Sequence, residues 1–245
     1  VKITLGGNNF MIKNILFDMD GTLLPMDQEI FTKAYFKLLC KKLAPYGYNP
    51  EQLISAVWEG TGAMVNNNGE HSNEELFWGA FSKVLGEKAL EEREIFDDFY
   101  VTDFNLAKDF CGFNEESGRL VKNLKAEGYN LVLASNPIFP MVAQKNRLSW
   151  AGVDSNAFSY ITSYENSRHC KPNPDYYLEI ADKLGLNPKE CLMIGNDLSE
   201  DVPATKIGMK IFIVTDCLIN KENVDIDKYP HGNFADAKRY IDSLK

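Results

Sequence analysis

The stretch NILFDMDGTLLPMD, residues 14–27, decides how the rest of the chain is read. Ile15, Leu16 and Phe17 make a short apolar run of the kind that fills a strand buried inside a sheet. The run ends on Asp18 and Asp20, one residue apart. Two carboxylates at one strand end repel each other, so whatever holds them there must compensate the charge. Gly21 permits a sharp turn next to them, and Thr22 can hydrogen-bond locally.

Further apolar runs with the length of buried strands lie at residues 130–134, 160–162, 191–194 and 210–214. Helical patterns alternate with them at 114–127, 141–150, 175–184 and 201–207, and each stops before or at a glycine: 128, 152, 185 and 208. Alternating strand, helix and glycine stop predicts an α/β fold, a Rossmann-like core built on a parallel sheet. Residues 26–110 break that rhythm. They hold helix-like blocks at 28–43, 50–58, 73–85 and 89–107 and no convincing strand, which predicts an inserted all-α domain. The expected division is 1–25 with 112–245 as the core and 26–111 as the insertion, joined at Leu24-Pro25-Met26 and Cys111-Gly112-Phe113. Residues 1–10, ahead of Met11, read as an extension outside the fold or a short extra strand.

Composition narrows the partners. The net charge of −9 argues against a nucleic acid, because backbone phosphates are held by Lys and Arg. The five cysteines (Cys40, Cys111, Cys170, Cys191, Cys217) are scattered without CxxC or Cys/His spacing, so neither a disulfide framework nor a zinc site is expected. They read as buried thiols of a reducing compartment. VKITLGGNNF lacks the apolar segment of a signal peptide and no apolar run is long enough for a membrane span, so a cytoplasmic location is expected.

Open parallel sheets bind ligands at the carboxyl ends of their strands. Side chains alternate along a strand, so Asp18 and Asp20 can face the same crevice. A hard cation such as Mg²⁺, which takes oxygen ligands, would neutralise such a pair. Taken alone, DMDGT also fits a strand followed by an Asp-Gly turn with solvated carboxylates. Other strand ends add to it. LVLASNP brings Ser135 and Asn136, able to donate to an anionic oxygen; CKPNPDYY brings Lys171 just before a turn into a helix; ECLMIGNDLSED brings Asn196, Asp197 and Asp201 after a buried strand.

In that order and placement these residues resemble the haloacid dehalogenase superfamily of hydrolases, in its phosphatase branch. DMDGT resembles the first motif, Ser135 the second, Lys171 the third, and Asp197 with Asp201 the fourth. The insertion resembles the family's helical C1 cap. Dehalogenases generally lack the second carboxylate of the first motif, so Asp20 favours phosphoryl chemistry. The usual Gly-Asp of the fourth motif is Gly195-Asn196-Asp197 here, and Asp197 is the preferred ligand because a carboxylate binds Mg²⁺ better than an amide.

The resemblance implies a Mg²⁺-dependent phosphatase acting on a small phosphorylated metabolite. Asp18 would be the nucleophile and Asp20 the general acid and base. Ser135, Asn136 and Lys171 would hold the phosphoryl group; Asp18, the Asp20 carbonyl and Asp197 would bind the metal, with Asp201 behind them. Within the cap the polar residues Glu59, Thr61, Asn66, Asn67, Asn68 and His71 are candidates for reading the leaving group, with Thr61, Asn67 and His71 singled out. An exposed connecting loop is the alternative. Trp58, Phe77, Trp78 and Phe81 read as cap core, and His169 and His231 as surface residues, while Arg168, beside the third motif, either steers phosphate or is solvated. A phosphotransferase or mutase would use the same residues, and a phosphorylatable receiver-like module is a more distant alternative.

Overall fold

A computed structural model describes residues 10–245 of the chain; the expectation for residues 1–10 falls almost wholly outside them. Within it, the apolar run is strand β1 (Asn14–Phe17), and every one of its residues is buried. It lies at the centre of a six-stranded sheet of order β3-β2-β1-β4-β5-β6. The partners are β2 (Asn130–Leu133), β3 (Tyr160–Ile161), β4 (Cys191–Gly195), β5 (Lys210–Val214) and β6 (His231–Gly232), all parallel. The order of strands reverses beside β1, the point where such sheets open a crevice.

Register carries the strand ends to one level. Asn14 stands opposite Asn130 and Cys191, and pairing continues past the strand as Asp18 N donates to Ile194 O (2.9 Å) and Ala134 N to Phe17 O (2.7 Å). Asp18, Ser135 and Asn196 therefore leave the sheet side by side. Alternation divides the rest: Ile15 and Phe17 belong to the apolar cluster on one face, Leu16 to the cluster on the other.

The chain leaves β1 through a turn and enters only helices until residue 111: α1 (Gln28–Leu43), α2 (Pro50–Val65), α3 (Asn73–Leu85), α4 (Lys88–Glu91) and α5 (Arg93–Val101), then a 3₁₀ segment, Asp103–Phe110. Asp27, the last residue of the opening stretch, caps α1 by accepting from Glu29 N and Ile30 N. The core helices follow: α6 (Glu115–Ala126), α7 (Met141–Trp150), α8 (Pro174–Leu184), the short α9 (Leu198–Asp201) and α10 (Phe234–Ser243). The two joints of the insertion meet, Met26 bridging antiparallel to Cys111 and Gly112 N donating to Pro25 O (2.7 Å).

Several expectations are corrected. The helix expected over 50–58 runs on to Val65, so Glu59 and Thr61 are helical. The block at 89–107 is broken into α4, α5 and the 3₁₀ segment, and 202–207 is also 3₁₀. Strand β6 and helix α10 were not anticipated. Trp78 and Phe81 are core, whereas Trp58 is 55% exposed. The cap lies closed on the core: Phe104 packs 5.0 Å from Trp150, Tyr35 5.7 Å from Phe139, and Glu74 N donates to Tyr164 O (2.9 Å). Among the described residues no helix is long and apolar enough to cross a membrane.

Helix α2 continues through two glycines for different reasons. A Cβ at Gly60 would stand 2.5 Å from the Phe77 ring, so the missing side chain is what lets α2 and α3 approach; Gly62 has nothing within 4 Å. Gly60→Val is expected to cost about 2–3 kcal/mol by overpacking. Gly62→Ala is expected to gain up to about 1 kcal/mol from helix propensity. Urea denaturation of the two variants beside the parent measures both signs.

Candidate active site

At the carboxyl edge of the sheet, Lys171 lies between two carboxylates. Its Nζ donates to Asp18 Oδ1 (2.8 Å) and to Asp201 Oδ1 (2.7 Å), and residues 171 and 201 are only 1% and 0% exposed. Burial pushes the Asp18 carboxyl above its usual range against the pull of Lys171, and pushes Asp201 up to about 6. Burial lowers the lysine's proton affinity, yet the two carboxylates overcome it and hold Lys171 well above its ordinary value.

Glycines make the room. A Cβ on Gly195 would sit 2.0 Å from Asp201 Oδ2, the oxygen that accepts from Asp197 N (3.0 Å). Gly21 adopts φ +87°, and a Cβ there would meet Asn196 Nδ2 at 2.2 Å. Asn196 is spent on structure: its Oδ1 accepts from Thr22 Oγ1 (2.9 Å) and its Nδ2 donates to Cys217 O (2.7 Å), so that, standing just after β4, it pins the turn after β1 to the loop after β5. Asp197, half-buried at the rim, accepts from Ser199 N (2.8 Å) and Glu200 N (3.2 Å) through one oxygen, Oδ1.

Asp20 has a different cation. Its carboxylate pairs with Arg147 of α7, which is wholly buried, also donates to Gln144 Oε1 (2.6 Å) and stacks on Phe139 at 4.5 Å. Nothing in MVAQKNRLSW marks Arg147 for this, because the pairing depends on how α7 is rotated against the sheet. Glu200 was missed too. It accepts from Asn136 Nδ2 (3.0 Å), and burial pushes its carboxyl up to about 7. Asn136 Oδ1 in turn accepts from Lys171 N (3.2 Å). Ser135 faces the cavity while its carbonyl accepts from Thr162 and Tyr176 hydroxyls.

These groups open into one cavity of about 250 Å³ between core and cap, walled by Asp18, Asp20, Ser135, Asn136, Asp197 and Glu200 at one end. Thr61 reaches it from α2, its hydroxyl bonded to Val57 O (2.8 Å). Asn67 and His71 are placed elsewhere. Asn67 folds its own loop, bonding His71 O (2.9 Å), Asn73 Oδ1 (2.8 Å) and Gly69 N (2.9 Å), while His71 is exposed beside Glu75. Asn66 bonds back to Gly62 O of α2 (2.8 Å), Asn68 bonds within the loop, and Glu59 points to solvent. His169, expected on the surface, is half-buried 3.0 Å from Glu179. Trp58, read as cap core, lines the cavity instead, and Phe77 packs in the cap, 5.2 Å from Phe81, while also lining the cavity.

A family model described as "haloacid dehalogenase-like hydrolase" matches residues 12–207. The chain belongs to the haloacid dehalogenase-like hydrolases. Its sequence is 26% identical over 217 residues to a bifunctional riboflavin kinase/FMN phosphatase of Arabidopsis thaliana, covering 82% of this chain and 48% of that protein. To a phosphoglycolate phosphatase of Shigella dysenteriae it is 24% identical over 206 residues, 80% of this chain and 77% of the relative. The chain thus spans about half the length of the bifunctional relative. A solved 2-haloacid dehalogenase from Pseudomonas syringae superposes with a TM-score of 0.63 at 18% identity, covering 96% of this chain and all of the other. That likeness speaks for the fold alone.

The cavity wall of this hydrolase presents oxygen donors, the carboxylates of Asp18, Asp20, Asp197 and Glu200. Four carboxylates face the cavity, and no Lys, Arg or His is on its wall among the described residues. Those donors and that charge fit a hard divalent cation. The ion network itself should be brittle. Lys171→Met leaves buried carboxylates without their cation and is expected to cost about 3–5 kcal/mol in urea unfolding at neutral pH.

Proposed function

We propose that this hydrolase is a Mg²⁺-dependent phosphatase that hydrolyses a small phosphorylated metabolite through an aspartyl-phosphate on Asp18. The observation that carries the reading is the pair of carboxylates on one turn, Asp18 and Asp20, each held by its own buried cation at the mouth of a capped cavity. A dehalogenase needs the first carboxylate. Transfer of a phosphoryl group gives the second one a task, because the departing alkoxide needs a proton.

Asp18 attacks phosphorus, and the ester P–O bond breaks with its electron pair going to the alcohol oxygen. Asp20 donates the proton to that oxygen, then takes one from the water that attacks the acyl phosphate and frees inorganic phosphate and Asp18. Lys171 offsets negative charge behind Asp18, and Ser135 and Asn136 hold phosphoryl oxygens, the positioning on which this chemistry mostly depends. Mg²⁺, held by Asp18, Asp197 and the Asp20 carbonyl, would supply the charge that lets a phosphate dianion approach a carboxylate. Arg147 fixes Asp20 in place, and the closed cap keeps bulk water from the intermediate.

Phosphate release from a panel of monoesters, with Mg²⁺ and with EDTA, tests the reading. EDTA is expected to abolish turnover. Asp18→Asn is expected to lose on the order of 10³-fold or more in kcat, and Asp20→Asn about 10²- to 10⁴-fold; because each takes a counter-charge from a buried cation and lowers stability, the rates are compared at a temperature where circular dichroism shows both variants folded. Full activity in Asp18→Asn overturns the mechanism.

A further inference from the structure

We propose that the substrate's leaving group is a neutral alcohol bearing a single aromatic ring, held against the aromatic wall that the cap gives the cavity. This rests on the phosphatase reading and deepens it by naming the substrate class. The cavity is divided between core and cap. Its carboxylates all come from the core, whereas the cap contributes Phe31, Phe36, Trp58 and Phe77, and Phe139 of the core lies between, its ring against the Arg147 that pairs with Asp20. The polar groups among them are neutral: Gln28, Thr32 and Thr61.

Even the tyrosines there present no charge and little hydrogen-bonding capacity. Tyr35 and Tyr100 bond each other through their hydroxyls (2.9 Å), and burial pushes Tyr35 up to about 12. Arg147 does not serve a second anion, since it is wholly buried beneath Phe139 and paired with Asp20. A carboxylate or a second phosphate carried to this side would lose its water and meet rings with no counter-charge. A sugar would bury hydroxyls with few partners. An aromatic face meets edges and faces of its own kind: Trp58 is 55% exposed although it lines the cavity, and lies 5.5 Å from Phe36 at 52°. The space accommodates one ring. A cavity of about 150 Å³ suffices for benzene, so about 250 Å³ leaves space for a phosphoryl group and one ring.

The test compares benzyl phosphate, 2-phosphoglycolate and glycerol 3-phosphate, all alkyl esters, with Mg²⁺. Benzyl phosphate is expected to exceed 2-phosphoglycolate about 100-fold in kcat/KM. Trp58→Ala should reduce that preference about tenfold, and Thr61→Lys, which adds a cation to the wall, should shift it toward 2-phosphoglycolate. Equal or better turnover of either rival, or a preference unmoved by both variants, overturns the aromatic assignment while leaving the phosphatase reading standing. Loss of all turnover strikes that reading instead. Binding then decides the pocket separately: by calorimetry with Mg²⁺, benzylphosphonate should bind at least about tenfold more tightly than phosphonoacetate, and the reverse order overturns the proposal.

Discussion

The buried ion network of Asp18, Lys171 and Asp201 constrains more of this structure than any other contact. Taking a single ion out of water costs several kcal/mol, and the cost is recovered only when every charge has partners in good geometry. Lys171 therefore has to meet one carboxylate leaving β1 and another at the end of α9, over distances of 2.8 and 2.7 Å. That demand explains features that look unrelated. Position 195 has to be glycine to admit Asp201, the ends of β1 and β4 have to finish level, and Asn136 has to hold the Lys171 backbone. Tyr176 and Tyr177 pack beside the network from α8 and deepen its burial.

Around that network the two parts of the molecule divide the chemistry between them. Charged groups come from loops at strand ends, where a rigid parallel sheet sets their spacing. The cap supplies rings. Its aromatic cluster is continuous with the core through Phe139 and Trp150, so closing the cap buries apolar surface and builds the cavity's aromatic wall in one event. The same contacts that stabilise closure thus shape what can be bound. Water exclusion follows from the same packing and needs no separate device.

How much of this was legible in the sequence depended on the range of the deciding interaction. Strand β1 and its neighbours were readable because a strand buried on both faces must be apolar throughout. Asp18, Ser135, Lys171 and Asp197 were readable because each follows such a strand or opens a helix at the same edge. The length of α2 was not, since Gly60 and Gly62 act locally as helix breakers and only contact with Phe77 explains the first of them. Asn67 was polar because its loop needs internal hydrogen bonds, a demand that resembles a binding site in sequence. Trp58 carries the same apolar signature as a core residue, and only the position of α1 opens a cavity beside it. Arg147 lay furthest from reach, because it sits inside a helix with no charge pattern pointing inward and follows no strand end.

Arg147 also changes how the repulsion within Asp-Met-Asp is resolved. Met19 between them is fully buried and turned into the apolar cluster, so the two carboxylates necessarily share the other side of the backbone. Each nevertheless has its own cation, Lys171 for Asp18 and Arg147 for Asp20, approaching from different elements. The pair is thereby balanced by the protein's own charges before substrate arrives. The divalent cation's task is then set by the incoming phosphate dianion, which finds carboxylates on the cavity wall and both basic groups already engaged behind it. On the proposed reading, an anionic substrate would enter an acidic cavity only with that added charge, and metal dependence would follow from how the buried cations are spent.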